Sequence, residues 1–401
     1  MMKTFAFLSA SVLAAVASAA PTVSDVTVTV DPKSPGVKVT YKVSEDAVVT
    51  AKFFSNGVQI PEEKVTALVG DVCRKVPATS GTAVRTFHWA SEMESWDAAD
   101  TRRYGKISAE LTAWATNAPP LFMAVDLVTK SNILYYASKA ALPGGISNNL
   151  YKTSKMLFRK IPAKEVTWNM DCSSKTDNKQ ALDTHQVVFS EDYYMAVYQC
   201  TQRQSLYIIN HRGYAFTDKE DSDLRPCSGI EYSAILGNNT TQVPLEGNNR
   251  VWNLIKMTGI TSLNLPTEAE WEYACRALTS TMWYNGSNWN NSYNIGWFQT
   301  GESKPVGQKT PNGWDLYDMT GNVFEYCLDW YSAYEYENAN IAVRDPLQKT
   351  QPESNTRVSR GGSYHSGRDP RYGNSGWRFS FVNSAHEYES GFRLKCAAIA
   401  Y

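Results

Sequence analysis

An all-β sandwich joined to a larger α+β domain with much coil is the fold class the sequence predicts, on three observations. Residues 23–117 alternate apolar and polar side chains in short runs. A double proline, Pro119-Pro120, then breaks the chain. Beyond it, helix-start signals stand among long stretches rich in Asn, Gly, Ser, Trp and Tyr. At 401 residues the chain is too long for one compact core, so more than one domain is expected.

The elements follow in order. Residues 1–19 read as an export signal: Lys3 is basic, Phe5 to Val16 is an apolar run too short to span a bilayer, and Ala17-Ser18-Ala19 offers a cleavage site. The chain is therefore expected outside the cytoplasm, secreted, periplasmic or at the cell surface, with no membrane span. Residues 20–120 read as an immunoglobulin-like or fibronectin-like β-sandwich. Val26, Val28 and Val30 alternate with polar residues, as do Val37, Val39, Tyr41 and Val43. Asn56-Gly57 signals a tight turn, and Phe87-His88-Trp89 and Ile107 to Trp114 read as further strands. Residues 121–153, with Gly144-Gly145, read as a bridging segment, and 154–401 as the larger domain. There Thr201 with Gln204, Ser228 with Glu231 and Thr267 with Glu270 have capping-box spacing. Gly237 suits a helix stop after the second. After the third, Trp271, Ala274, Cys275 and Leu278 form one apolar stripe.

Composition excludes some functions. Lys plus Arg number 39 and Asp plus Glu 40, a net charge of −1, which argues against a general nucleic-acid binder. The five histidines (88, 185, 211, 365, 386) show no HxH or HExxH spacing, so a histidine-rich metal centre is not expected. Seven cysteines (73, 172, 200, 227, 275, 327, 396) permit up to three disulfides in an exported chain and form no CxxC.

Four ordered segments carry a family signature: Leu265-Pro-Thr-Glu-Ala-Glu-Trp-Glu-Tyr-Ala-Cys-Arg276, Gly313-Trp-Asp-Leu-Tyr-Asp-Met-Thr-Gly-Asn-Val-Phe-Glu-Tyr326, Arg357-Val-Ser-Arg-Gly-Gly-Ser-Tyr364 and Gly391-Phe-Arg-Leu394. Together they resemble the formylglycine-generating-enzyme or sulfatase-modifying-factor domain, over roughly 155–398. The weaker Leu157–Pro162 and His185–Ser190 resemble its opening strands. The resemblance implies a C-type-lectin-like fold with calcium-stabilised loops. It places calcium at Asp318, Gly321, Val323 and Glu325, where two carboxylates and two backbone carbonyls suit a hard cation. A second calcium site would use Asn294-Ile295, but its later acidic ligand is not evident.

The family's enzymes hold copper(I) through two thiolates just after Gly-Gly-Ser-Tyr, to oxidise a cysteine in a client sulfatase. Here Ser366 and Arg371 stand in those places, and no cysteine occurs between 328 and 395. Copper is therefore not expected, since a soft ion needs sulfur. A relative in the broader family uses a histidine-iron centre, but its ligands lie in a helical domain this chain lacks. What remains is a face rich in arginine (357, 360, 368, 371, 378, 393) and aromatic residues, mixed with Asn, Ser and Gly. That mixture resembles a paratope, and also the variable face of lectin-like proteins diversified by retroelements. Tyr364, His365, Ser366, Arg371, Tyr372 and Trp377 are the candidate binding residues. The expectation is a catalytically degenerate member that binds an unknown protein or small molecule. The alternatives are an active oxidase and a purely structural surface module.

Overall fold

The computed structural model describes residues 20–30, 36–65, 67–89, 106–129, 133–170, 184–237, 250–331, 342–366, 370–385 and 387–401. Residues 1–19, where an export signal is expected, and Cys172, Arg368 and His386 lie outside the described residues.

Among the described residues the N-terminal unit has eight strands: β1 (Val23–Val30), β2 (Val37–Val43), β3 (Ala47–Ser55), β4 (Val58–Gln59), β5 (Leu68–Gly70), β6 (Arg74–Val76), β7 (Arg85–Trp89) and β8 (Ile107–Ala115). One antiparallel sheet runs β1-β2-β7-β5. In the other, β3 pairs with β8 along its whole length and with β4 and β6 on its opposite edge. The alternation in β2 buries Val37, Val39, Tyr41 and Val43, which share a core with Phe53, Phe87 and Trp89. Phe53 and Trp89 set their ring centres 4.8 Å apart. Asn56 and Gly57 both take positive φ, the two-residue turn that their sequence signals.

The described residues of the larger domain form three sheets. A five-stranded sheet runs β10 (Ile133–Tyr136), β9 (Phe122–Asp126), β11 (Lys155–Ile161), β14 (Tyr193–Ala196), β20 (Lys395–Ala397). A second runs β12 (Thr167–Met170), β13 (His185–Val188), β16 (Val343–Arg344). The third runs β18 (Arg378–Val382), β17 (Thr356–Arg360), β15 (Phe324–Trp330), β19 (Ser390–Gly391). Helices α1 (Gln202–Ile209), α2 (Tyr232–Leu236), α3 (Arg250–Thr258) and α4 (Glu268–Arg276) are short. The result is mixed, mostly strand and coil.

Three expectations are corrected. Residues 121–153 are not merely a bridge: they supply β9 and β10 to the five-stranded sheet, and Met123, Val125 and Tyr135 enter its core. Ser228 does not cap α2; Glu231 takes the N-cap position, its carboxylate accepting from the Ser233 hydroxyl at 2.8 Å rather than from the helix backbone. Leu278 is not on the buried stripe of α4, because the helix ends at Arg276 and Ala277 turns left-handed, leaving Leu278 exposed. The boxes at Thr201 and Thr267 close as expected, each with both reciprocal hydrogen bonds.

The units touch. Tyr135 N–H donates to the Cys73 carbonyl at 2.7 Å, Ala400 N–H to the Thr116 carbonyl at 2.7 Å, and Val48 joins the core cluster of Met123 and Tyr135. A cavity of about 390 Å³ lies beside this junction, lined by Phe53, Trp114, Leu134 and Tyr136 among others.

Candidate functional site

The signature motifs fold into a buried lattice of charge. In α4 the carboxylates of Glu268 and Glu272, four residues apart, face the β17–β18 pair. Arg378 meets Glu268 bidentately at 2.6 and 2.8 Å. Arg360 lies 3.1 Å from Glu268 and also bonds Glu272, which takes Arg276 Nε at 2.8 Å. Arg357 lies over the Trp330 ring at 3.4 Å and donates to the Leu328 carbonyl at 2.8 Å. Arg393 reaches Glu325 through Nη2 at 2.7 Å and Nε at 2.8 Å. All these arginines are buried. The expected arginine-rich face is thus corrected: 357, 360, 378 and 393 point inward, because carboxylates or rings wait there and a buried charge must be paired.

The turn from Asp318 to Glu325 is built on backbone that favours glycine. Gly321 has φ +76°, and a Cβ there would come within 2.7 Å of the Trp297 backbone. Gly321 N–H donates to the Gly361 carbonyl, and the Asn322 carbonyl accepts from Tyr364 N–H, both at 2.7 Å. The carbonyls of Asp318, Gly321 and Val323 and Glu325 Oε1 converge, with the Asp318 backbone carbonyl standing where its carboxylate was expected. They converge on Nε2 of Gln199, at 3.1, 3.4, 2.9 and 3.0 Å. Asp318 Oδ2 accepts from Gly307 N–H at 2.7 Å, and burial pushes its carboxyl up to about 6. An amide nitrogen stands at the focus and Glu325 is already met by Arg393, while Asp318 Oδ1 and Gln199 Oε1, both buried, have no hydrogen-bond partner among the described residues. Sequence reasoning missed Gln199. Its signal was a lone amide inside the buried run Tyr193 to Cys200.

Asn294 is exposed and its carbonyl accepts from Thr310 N–H at 3.2 Å, while Ile295 is buried. Among the described residues no group of three or more His, Cys, Asp or Glu could hold a metal.

The six described cysteines are free thiols. All but Cys73 are classed buried, and burial pushes the Cys275 and Cys227 thiols up to about 12 and the Cys327 and Cys396 thiols up as well.

The binding residues divide. Tyr364 is buried, not part of an open face: its ring meets Phe216 edge-on at 5.4 Å and its hydroxyl donates to the Tyr388 carbonyl at 3.4 Å. Ser366 is also buried, its hydroxyl accepting from Ser363 N–H at 2.7 Å to close a turn. His365 and Tyr372 are exposed and Trp377 is half-buried, with the Tyr372 and Trp377 rings 4.7 Å apart and nearly perpendicular. The Arg371 side chain lies outside the described residues. Residues 370–373 pack on the turn 289–294, which presents Trp289 and four asparagines (288, 290, 291, 294) to solvent. Gly362 permits the arrangement, since a Cβ there would meet Gly373 Cα at 2.9 Å. Trp289 was not singled out from the sequence, although its Asn-rich setting was visible. No helix of the described residues is long and apolar enough to cross a membrane.

Comparison with known proteins gives the relationships. The chain is 25% identical over 213 residues to the chaperone protein LppX of Paenibacillus barcinonensis, covering 43% of this chain and 69% of that protein. It is 36% identical over 118 residues to the formylglycine-generating enzyme of Thermomonospora curvata, covering 25% of this chain and only 38% of that enzyme. Treponema denticola variable protein 1 superposes with a TM-score of 0.46 at 22% identity, over 61% of this chain and 95% of that one. The model of the sulfatase-modifying factor enzyme 1-like domain matches residues 161–398, more than half of the chain, and the chain belongs to that family.

Proposed function

We propose that this protein is a family member without the oxidase chemistry, which binds a protein or small-molecule partner through the face around Tyr372, Trp377 and Trp289. One observation carries the reading. Ser366, in the place where a copper thiolate would stand, is buried with its hydroxyl closing a turn, while Tyr372 and Trp377, a few residues further along the chain, make an accessible aromatic pair. Rigid aromatics among small polar residues suit recognition, because they offer large contact area at little entropic cost. The export signal and an immunoglobulin-like spacer at 20–120 fit a binding module displayed outside the cytoplasm.

Two experiments test it. Copper(I) titration followed by incubation with a cysteine-containing sulfatase peptide is expected to yield no aldehyde; stoichiometric aldehyde overturns the reading. Against any partner selected from peptide or glycan arrays, Tyr372→Ala and Trp377→Ala should each weaken binding by about 1 kcal/mol or more. Affinities equal to the unaltered protein's would place recognition elsewhere.

A further inference from the structure

Three backbone carbonyls and a carboxylate oxygen that face one another repel, and something positive must stand between them. In this chain that group is Nε2 of Gln199, within 2.9–3.4 Å of all four acceptors and wholly buried. We propose that the carboxamide of Gln199 takes the place of a cation, so that the Asp318–Glu325 turn is held without calcium. The orientation of the amide follows from its neighbours. Turned over, it would aim Oε1 at four acceptors and leave no donor among them.

Charge points the same way. Glu325 accepts from Arg393 Nη2 and Nε, and from Trp271 Nε1 at 2.7 Å, so its negative charge is answered by protein groups. A divalent cation at the focus would stand beside the Arg393 guanidinium, with the Asp318 carboxylate alone left to offset it. It would also need oxygens at about 2.3–2.6 Å, a space that Nε2 and its hydrogens fill. The same turn accepts Tyr364 N–H through the Asn322 carbonyl. The amide therefore supports the loop beneath the aromatic face, whether or not that face binds a partner.

The test is thermal melting of the full chain in millimolar calcium and in excess chelator. For the unaltered protein the two midpoints are expected to coincide; a rise in calcium of about 3 °C or more overturns the proposal. Gln199→Glu replaces the donor by a second carboxylate. Its midpoint is expected to fall in chelator and to recover by several degrees in calcium, the variant having acquired a cation requirement. A Gln199→Glu protein that melts in chelator with the unaltered protein would also overturn the proposal. If that variant does not fold, Gln199→Met, similar in length but without a donor, serves instead. It should melt lower in both conditions with no recovery in calcium, and an unchanged midpoint would count against the amide.

Discussion

Arg393 and Glu325 are both fully buried and joined by two hydrogen bonds, and Arg393 also donates to the carbonyls of Ala196, Val197 and Tyr317. A pair of this kind adds little over an apolar equivalent, yet removing one partner strands the other charge. Arg393→Met is expected to cost about 3–5 kcal/mol in urea denaturation, more than a surface arginine such as Arg344 would. His185 gives a second prediction at this scale. Burial holds its imidazole down, to about 4, against the pull of Glu272 and Glu268. Its folded value lies below the unfolded one, so its contribution is complete above about pH 6.5 and is lost as pH falls toward 4. His185→Gln should flatten the stability loss between those limits; an unchanged pH profile would show that His185 does not carry it. At this scale the sequence was legible in residue type but not in direction. Arg360 and Arg378 read as surface charges because their partners on α4 lie 88 to 110 positions away in the chain, a separation no local pattern records.

Among the elements, local chemistry was legible wherever it is satisfied locally. The Thr267 box closes on its own helix, and so did its sequence signal. The Ser228 signal failed because the chain there is tied to other segments: Ser228 pairs through its backbone with Tyr214 and Gly213, leaving its hydroxyl outside any cap. The contrast is measurable. Thr267→Ala is expected to cost about 1 kcal/mol, while Ser228→Ala should cost little or raise stability, since its buried hydroxyl has no partner among the described residues. Equal losses would mean that the cap at α4 contributes nothing beyond packing. The turn at Asp318–Glu325 shows the limit of such reading. Its four residues were visible as a motif, but the group they enclose comes from position 199, and only the assembled sheets bring the two together.

In the whole molecule, the N-terminal unit is built into the larger domain, although a double proline separates them in sequence. β8 ends at Ala115, four residues before Pro119, and β9 begins at Phe122, two residues beyond Pro120. Contacts cross this boundary at several points: Tyr135 to Cys73, Ala400 to Thr116, Ser138 to Glu62 and Val48 into the core of the five-stranded sheet. Trp114 also packs against that core, with its indole N–H held on Thr50 Oγ1 at 2.9 Å. Against this, the cavity of about 390 Å³ interrupts the junction, so its packing falls short of a domain interior. The two observations together set the expected size of the coupling. A chain beginning at residue 121 should still fold, because the five-stranded sheet keeps all its strands. It should melt several degrees lower, since apolar surface around Tyr135 and Met123 loses its cover. Calorimetry of the full chain and the shortened one decides the matter: equal midpoints would make the N-terminal unit an independent spacer, and failure to fold would make it part of the larger domain's own core.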